Sequence, residues 1–253
     1  EAAVEAVTLA QASQTRLIDA SSAHRIDHDW VYGFAELQPG QRDAIANGKL
    51  ITNPGCYPTG FLALARPLIA SGLLADTALV CAPAVSGYSG GGKAMIAKHD
   101  AGDLHPAFSY GTNLQHKHLG EMTRYSGLKT PPIFMPSVGD FYAGMLVHLP
   151  LHADQVKGSA TAAMIYDCLA DWYHGSALVR MGAAAANHAD VPLTLAADAF
   201  AGRNDMELFV FSDAAEQRFW LTARLDNLGK GASGAAVQNM NIALGLDDYF
   251  GLS

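Results

Sequence analysis

Basic residues are scarce in this chain. Across 253 residues, 16 Lys and Arg face 24 Asp and Glu, for a formal net charge of −8 and a pI near 5.6. That balance gives no reason to expect nucleic acid or an anionic membrane as partner, so an anionic substrate must be held by a few local cations. Cysteine is scarce too. The three present, an odd number without close pairing, fit a disulfide framework badly. With no signal-peptide pattern and no long uninterrupted apolar span, the expected compartment is a reducing cytoplasm. Only 16% of residues are charged while 50% are hydrophobic, which argues for a compact enzyme rather than a disordered chain. The length suits one large domain or two modest ones with a substantial core. Repeats and low-complexity tracts are absent. So is any strand that runs into Gly-x-Gly-x-x-Gly or Gly-x-x-Gly-x-x-Gly and opens a helix. The strand–helix–strand unit built on such a loop takes roughly 30 residues or more, and without one at the front the chain reads as a fragment.

What is present concentrates in Asn53-Pro54-Gly55-Cys56-Tyr57-Pro58-Thr59-Gly60, just ahead of the apolar run from Phe61 to Ala65. Gly55 allows a sharp turn, and Pro58 is tolerated in a first helical turn, where an N–H has no partner anyway. Cys56 is therefore expected at or just before a helix N-terminus. There, unpaired amides and the helix dipole favour a thiolate and can hold a developing oxyanion. A lone cysteine more often packs as a small hydrophobe, but the dense Pro and Gly punctuation favours the nucleophile. Cys81 reads as a buried strand residue and Cys168 as helix core; neither looks reactive.

Taken in order, residues 1–12 predict an amphipathic helix, and Arg16 to Asp19 a short strand ending in a polar loop. Helix, strand and ligand-type loop follow the rhythm of a doubly wound sheet. Leu50 to Thr52 predicts a strand and Phe61 to about Leu74 a helix, which Pro67 should kink or divide. Ala78 to Val85 predicts a buried strand. It opens into Ser86–Lys93, where six of eight residues are Gly or Ser, a ligand-cradling turn before an alanine-rich helix. Residues 131–151 predict strands, and Ala160 to Tyr173 predicts a helix with Ala163, Ile165, Tyr166, Leu169 and Trp172 as core. Glu207–Phe211 and Arg218–Leu225 predict a hairpin, and Ala232 to Leu244 an amphipathic helix.

Acid–base candidates sit at His116, His118 and Glu121. On a helix, His118 and Glu121 share a face at i, i+3, so the carboxylate could orient the imidazole. No Cys or acidic cluster completes a metal set, so no metal is expected. Arg25, in Ser22-Ala23-His24-Arg25, could hold a phosphate or carboxylate through its guanidinium fork. Lys93 and Lys230 are cations beside glycines.

The Cys56 octapeptide resembles the active-site signature of the N-acetyl-gamma-glutamyl-phosphate reductase family, enzymes of arginine biosynthesis. Four further stretches match in the family's order: Trp30 to Leu37, Val85 to Lys93, His116-Lys117-His118 with Glu121, and Asp226 to Gly234. Ser86–Lys93 resembles the shorter of the family's two length classes. The resemblance implies a fold of class α/β plus α+β in three parts. Residues 1–55 would form a truncated Rossmann-type NADP-binding domain, and 56–225 a catalytic domain like that of glyceraldehyde-phosphate dehydrogenase. Residues 226–253 would be a C-terminal loop and helix packing back on the first part. It implies Cys56 as nucleophile with His116 or His118 as its acid/base partner, and Glu121 beside them. Substrate would be held by Arg25, Ser22 and Lys93, and NADPH by Ser86, Gly87, Gly90, Gly91 and Asn227. The implied partners are a small acyl phosphate and further copies of the chain. Competing readings are an aspartate-semialdehyde dehydrogenase, a Cys/His hydrolase, and a non-catalytic fragment that keeps the fold.

Overall fold

The computed structural model describes residues 2–11, 14–158, 160–182 and 194–252; Glu1 and Ala12 of the expected first helix lie outside them. Helix α1 (Ala2–Gln11) leads to strand β1 (Leu17–Asp19), and a polar loop carries the chain to β2 (Val31–Tyr32). Helix α2 (Gln41–Asn47) and β3 (Leu50–Thr52) follow. β3 lies between the other two strands and parallel to both, with Asp19 beside Thr52 and Tyr32 beside Thr52. All three strands thus end at one edge. In open parallel sheets that edge is where ligands bind. From it emerge the loop carrying Arg25, the Gly33–Leu37 segment and the Asn53–Gly55 turn.

That turn feeds directly into α3 (Cys56–Ala70), so Cys56 is the first residue of the helix. Phe61 to Ala65 are fully buried, because α3 is packed on both sides, by the large sheet and by α5 and α6. Pro67 does not divide the helix. Its missing N–H leaves the Ala63 carbonyl open, and the Tyr173 hydroxyl donates to that oxygen at 2.9 Å. A distant side chain thus replaces the bond that proline removes.

The large sheet is mixed. After α3 come β4 (Cys81–Gly87), a 3₁₀ turn over Tyr88–Gly91, and α4 (Gly92–Asp100). Then β5 (Ala107–Ser109), α5 (Leu119–Ser126), β6 (Ile133–Gly139), β7 (Met145–His152) and α6 (Ala162–Trp172) follow. Strand β8 (Val179–Met181), the hairpin β9 (Met206–Ser212) and β10 (Arg218–Leu225), and α7 (Gly234–Leu244) complete the described elements. The spatial order is β5-β6-β4-β7-β10-β9-β8, with β4 parallel to β6 and antiparallel to β7. Alternation sets the faces: Met145, Val147, Leu149 and Leu151 of β7, with Phe219, Leu221 and Leu225 of β10, are buried towards the helices. The opposite face carries Ile133, Met135 and Trp220, each between 43% and 52% exposed. Within α6, Ile165 and Leu169 are core as expected, whereas Ala163 is exposed and Tyr166 and Trp172 are half-buried. Cys81 and Cys168 are also half-buried rather than fully enclosed. Helix α7 packs on α2 and β1.

The exchange at Pro67 generates a test. Tyr173→Phe should cost about 1 kcal/mol in urea unfolding, the net worth of one hydrogen bond plus an orphaned carbonyl. In a Pro67→Ala background the helix regains its own donor, so the same change should cost distinctly less; equal costs would contradict the exchange.

Candidate active site

The Cys56 turn is fixed from two directions. Asn53 Nδ2 donates to the Ala232 carbonyl at 2.8 Å, and the Gly55 amide donates to Glu121 Oε2 at 2.9 Å. Gly55 is needed for close approach. A Cβ there would lie 2.6 Å from His118 Nε2 and 2.7 Å from Arg25 Nη1. On the far side, a Cβ at Gly231 would lie 2.8 Å from the Cys56 Cβ, so the loop before α7 can close over the thiol only with glycine. Cys56, Arg25, His116 and His118 line one cleft of about 340 Å³, together with Ser86, Ser89, Gly90, Gly91, Tyr110 and Asn227.

Glu121 corrects one expectation. Its carboxylate does not orient His118. Oε1 accepts from Arg25 Nη1 at 3.1 Å, and Oε2 accepts from Tyr32 Oη at 2.9 Å and from the Gly55 amide. His118 is the N-cap residue of α5 and has helical dihedrals, so spacing alone does not separate the two; the buried carboxylate is instead taken by donors brought from the β1–β2 loop, β2 and the Cys56 turn. Burial pushes the Glu121 carboxyl up, and Arg25, the Gly55 amide and Tyr32 pull it back.

The thiol is under opposing influences. Burial pushes Cys56 up to about 11, and it outweighs the Tyr57 amide, the Arg25 charge and the Cys56 amide, which all favour the thiolate. The helix N-terminus is present, but desolvation is the larger effect. Burial also depresses His118, to about 2, with the neighbouring His116, Arg25 and Lys117 acting in the same direction. Both shifts favour the uncharged forms, a thiol beside an imidazole. His118 Nδ1 is buried without a hydrogen-bond partner. His116 Nδ1 accepts from the His118 amide at 3.2 Å, and its ring lies 4.6 Å from that of His118 and 5.1 Å from that of Phe134. Of the two rings, His118 is the one against the cysteine turn.

The remaining expected groups divide. Ser22 and Lys93 are exposed and outside the cleft lining. Gly87 is packed beneath the backbone of Tyr142 and does not line the cleft either. Lys230, noted in the sequence as a cation beside glycines, is only 1% exposed and makes bonds of 3.0 Å to both Glu36 oxygens and 2.6 Å to Gln238 Oε1. It ties the loop down instead. Asn227 Oδ1 accepts from the Gly144 amide at 2.8 Å, and Nδ2 donates to Ser89 Oγ at 2.9 Å. Sequence reasoning passed over Tyr32, Tyr110 and Gly231. Tyr32 and Gly231 lie in stretches that carried the family resemblance; Tyr110 lies outside every such stretch. Among the described residues no three His, Cys, Asp or Glu side chains converge to hold a metal ion.

Comparison with known proteins accords with this geometry. The family described as semialdehyde dehydrogenase, dimerisation domain, matches residues 56–227. An N-acetyl-gamma-glutamyl-phosphate reductase from Trichormus variabilis is 47% identical over 265 residues, covering 100% of this chain and 81% of its own length. The chain belongs to the N-acetyl-gamma-glutamyl-phosphate reductase family. A reductase of the same name from Brucella anthropi is 46% identical over 252 residues, covering 97% of this chain and 80% of its own length. Two solved structures share the fold: the aspartate semialdehyde dehydrogenase from Francisella tularensis and aspartate semialdehyde dehydrogenase II from Vibrio cholerae. The first has a TM-score of 0.66 at 17% identity, covering 93% of this chain and 76% of its own. The second has a TM-score of 0.61 at 18% identity, covering 90% and 72%.

Reductase membership implies a nicotinamide cofactor. The cleft fits the reactive end of one: Asn227 has one Nδ2 hydrogen and one Oδ1 lone pair unspent for a carboxamide. Gly90 and Gly91 present bare backbone beside it.

The neutral thiol sets a pH dependence. With a pKa of about 11, only roughly one Cys56 in a thousand is thiolate at pH 8. In the substrate-free protein, iodoacetamide alkylation of Cys56 should keep rising about tenfold per unit from pH 7 to pH 10. A plateau reached below pH 8 would contradict burial as the dominant effect.

Proposed function

We propose that this oxidoreductase reduces N-acetyl-gamma-glutamyl phosphate to N-acetylglutamate semialdehyde, in arginine biosynthesis, through a thioester on Cys56. The observation that carries the reading is the cleft itself. It brings a cysteine at a helix entrance, a histidine against its turn and an arginine within reach of one another. Cys56 Sγ attacks the acyl phosphate carbonyl, the C–S bond forms, and the C–O bond to phosphate breaks. His118 takes the thiol proton as attack proceeds, because a neutral imidazole beside a neutral thiol can accept it only when charge develops on the substrate. The Cys56 and Tyr57 amides, both at the start of α3, hold the negative oxygen of the tetrahedral intermediate. Arg25, anchored through Nη1 to Glu121 and through Nη2 to the Ala20 carbonyl, lines the cleft with its charge and would meet the anionic substrate through its remaining N–H groups.

The bound cofactor, NADPH in this reading, supplies the hydride that turns the thioester into the semialdehyde. Ser86, Gly90, Gly91 and Asn227 are the cleft residues placed to hold its nicotinamide end. The cytoplasm, where thiols stay reduced, is the compartment this chemistry needs.

Copies of the chain are proposed to associate through the uncovered face of the large sheet. Ile133, Met135 and Trp220 are exposed there, and the matched family description names a dimerisation domain. Trp220→Glu should shift the protein to a smaller species in sedimentation velocity; an unchanged profile would move the interface elsewhere.

Cys56→Ser should abolish phosphate-dependent oxidation of the semialdehyde, since serine lacks a thiol of usable acidity, while far-UV circular dichroism stays unchanged. His118→Asn should lower turnover by about a hundredfold or more with a smaller change in KM, and His116→Asn should lower it less. The reverse order would exchange the two histidines' roles.

A further inference from the structure

A second cavity, of about 400 Å³, shares no residue with the Cys56 cleft. It lies between β2, α2, α3 and α5, and is lined by Trp30, Tyr32, Gln38, Gln41, Arg66, Arg124 and Tyr125 among others. Two guanidiniums face it, and no Asp or Glu lines it. In a chain of net charge −8 that is a local reversal of sign.

The two arginines are left uncompensated. Arg66 Nη2 donates to Gln38 Oε1 at 3.2 Å, while its Nε is buried with no hydrogen-bond partner. Arg124 Nη1 donates to the Ile26 carbonyl at 2.7 Å, its Nη2 lies 2.7 Å from the His28 ring, and the guanidinium sits over the Tyr125 ring. Neither is among the ion pairs of the described residues, although the exposed Arg203 and Arg218 each pair with an Asp. Arg66 Nε is thus a buried donor that costs free energy unless an acceptor arrives, whereas Arg124 is exposed and brings its charge to the rim of the cavity.

We propose that this cavity is a binding site for a small oxyanion, a phosphate or a carboxylate, held by Arg66 and Arg124. Two guanidinium forks suit such a group, and the amides of Gln38 and Gln41 supply neutral polar contacts around it. The cavity adjoins the residues that brace the catalytic cleft. Its wall is the stacked pair Tyr32 and Tyr125, ring centroids 3.7 Å apart. Tyr32 Oη donates to Glu121, and Tyr125 Oη donates to the Arg25 carbonyl at 2.8 Å.

The test is isothermal titration of inorganic phosphate, and separately of citrate, into three proteins: wild type, Arg66→Gln and Arg124→Gln. Each is run with Cys56 free and with Cys56 carboxymethylated, which places a carboxylate in the catalytic cleft and blocks it. The proposal expects a binding component that survives carboxymethylation and weakens at least tenfold in each variant. Arg124→Lys, which keeps the charge, should restore part of it, and unchanged circular dichroism should show that the variants fold. If phosphate alone gives this component the site is for phosphates; if citrate alone does, it is for carboxylates. The proposal is overturned if every component disappears on carboxymethylation, or if the surviving component is indifferent to both substitutions. It is also overturned if neither anion binds with a Kd below about 10 mM.

Discussion

The Glu121 carboxylate is buried, and both of its oxygens are spent on groups brought from elsewhere in the chain. Arg25 and Tyr32 come from the small parallel sheet, and the Gly55 amide comes from the turn that starts the nucleophile helix. Such a carboxylate is tolerated only while its partners are in place. Losing one side of a buried pair costs on the order of 3–5 kcal/mol, because the other charge is left uncompensated. The two ends of the chemistry, the cation that meets the substrate and the turn that aims the thiol, therefore move together.

A second buried tie works the same way on the other side of the cleft. Lys230 bonds both oxygens of Glu36 and the Gln238 side chain, and its ammonium lies 5.6 Å from the centre of the Phe34 ring. This pulls the loop after β10 against the small sheet and brings Gly231 onto Cys56. The cleft is thus closed by two ion pairs that join the small sheet to the rest. Each uses a residue whose charge, in the sequence, looks available for a ligand.

Much of the fold was legible because it depends on local patterns. The Gly55-Cys56 turn, the alternation along β7 and β10, and the polar break between β9 and β10 are all short-range signals. The site was legible only in its residues, not in its bonds. Glu121 stands three residues after His118, which suggested a pair, but its actual partners lie 66, 89 and 96 residues away. Pro67 predicted a break because nothing near it in the chain shows that Tyr173 supplies the missing donor. The expectation of a thiolate rested on the helix N-terminus, which is readable in the sequence, whereas the opposing desolvation depends on Gly231 and the walls of the cleft, which are not.

The central claim is that Arg25 and the Cys56 turn are coupled through Glu121. The most direct measurement is a double-mutant cycle in kcat/KM for semialdehyde oxidation, using Arg25→Gln, Glu121→Gln and the two together. If one carboxylate serves both groups, each single variant should lose about thirtyfold or more and the double variant should fall within about threefold of the worse one, a coupling of at least roughly 1.4 kcal/mol. A double variant whose loss equals the product of the two single losses would show that the two residues act independently, and the account would be wrong.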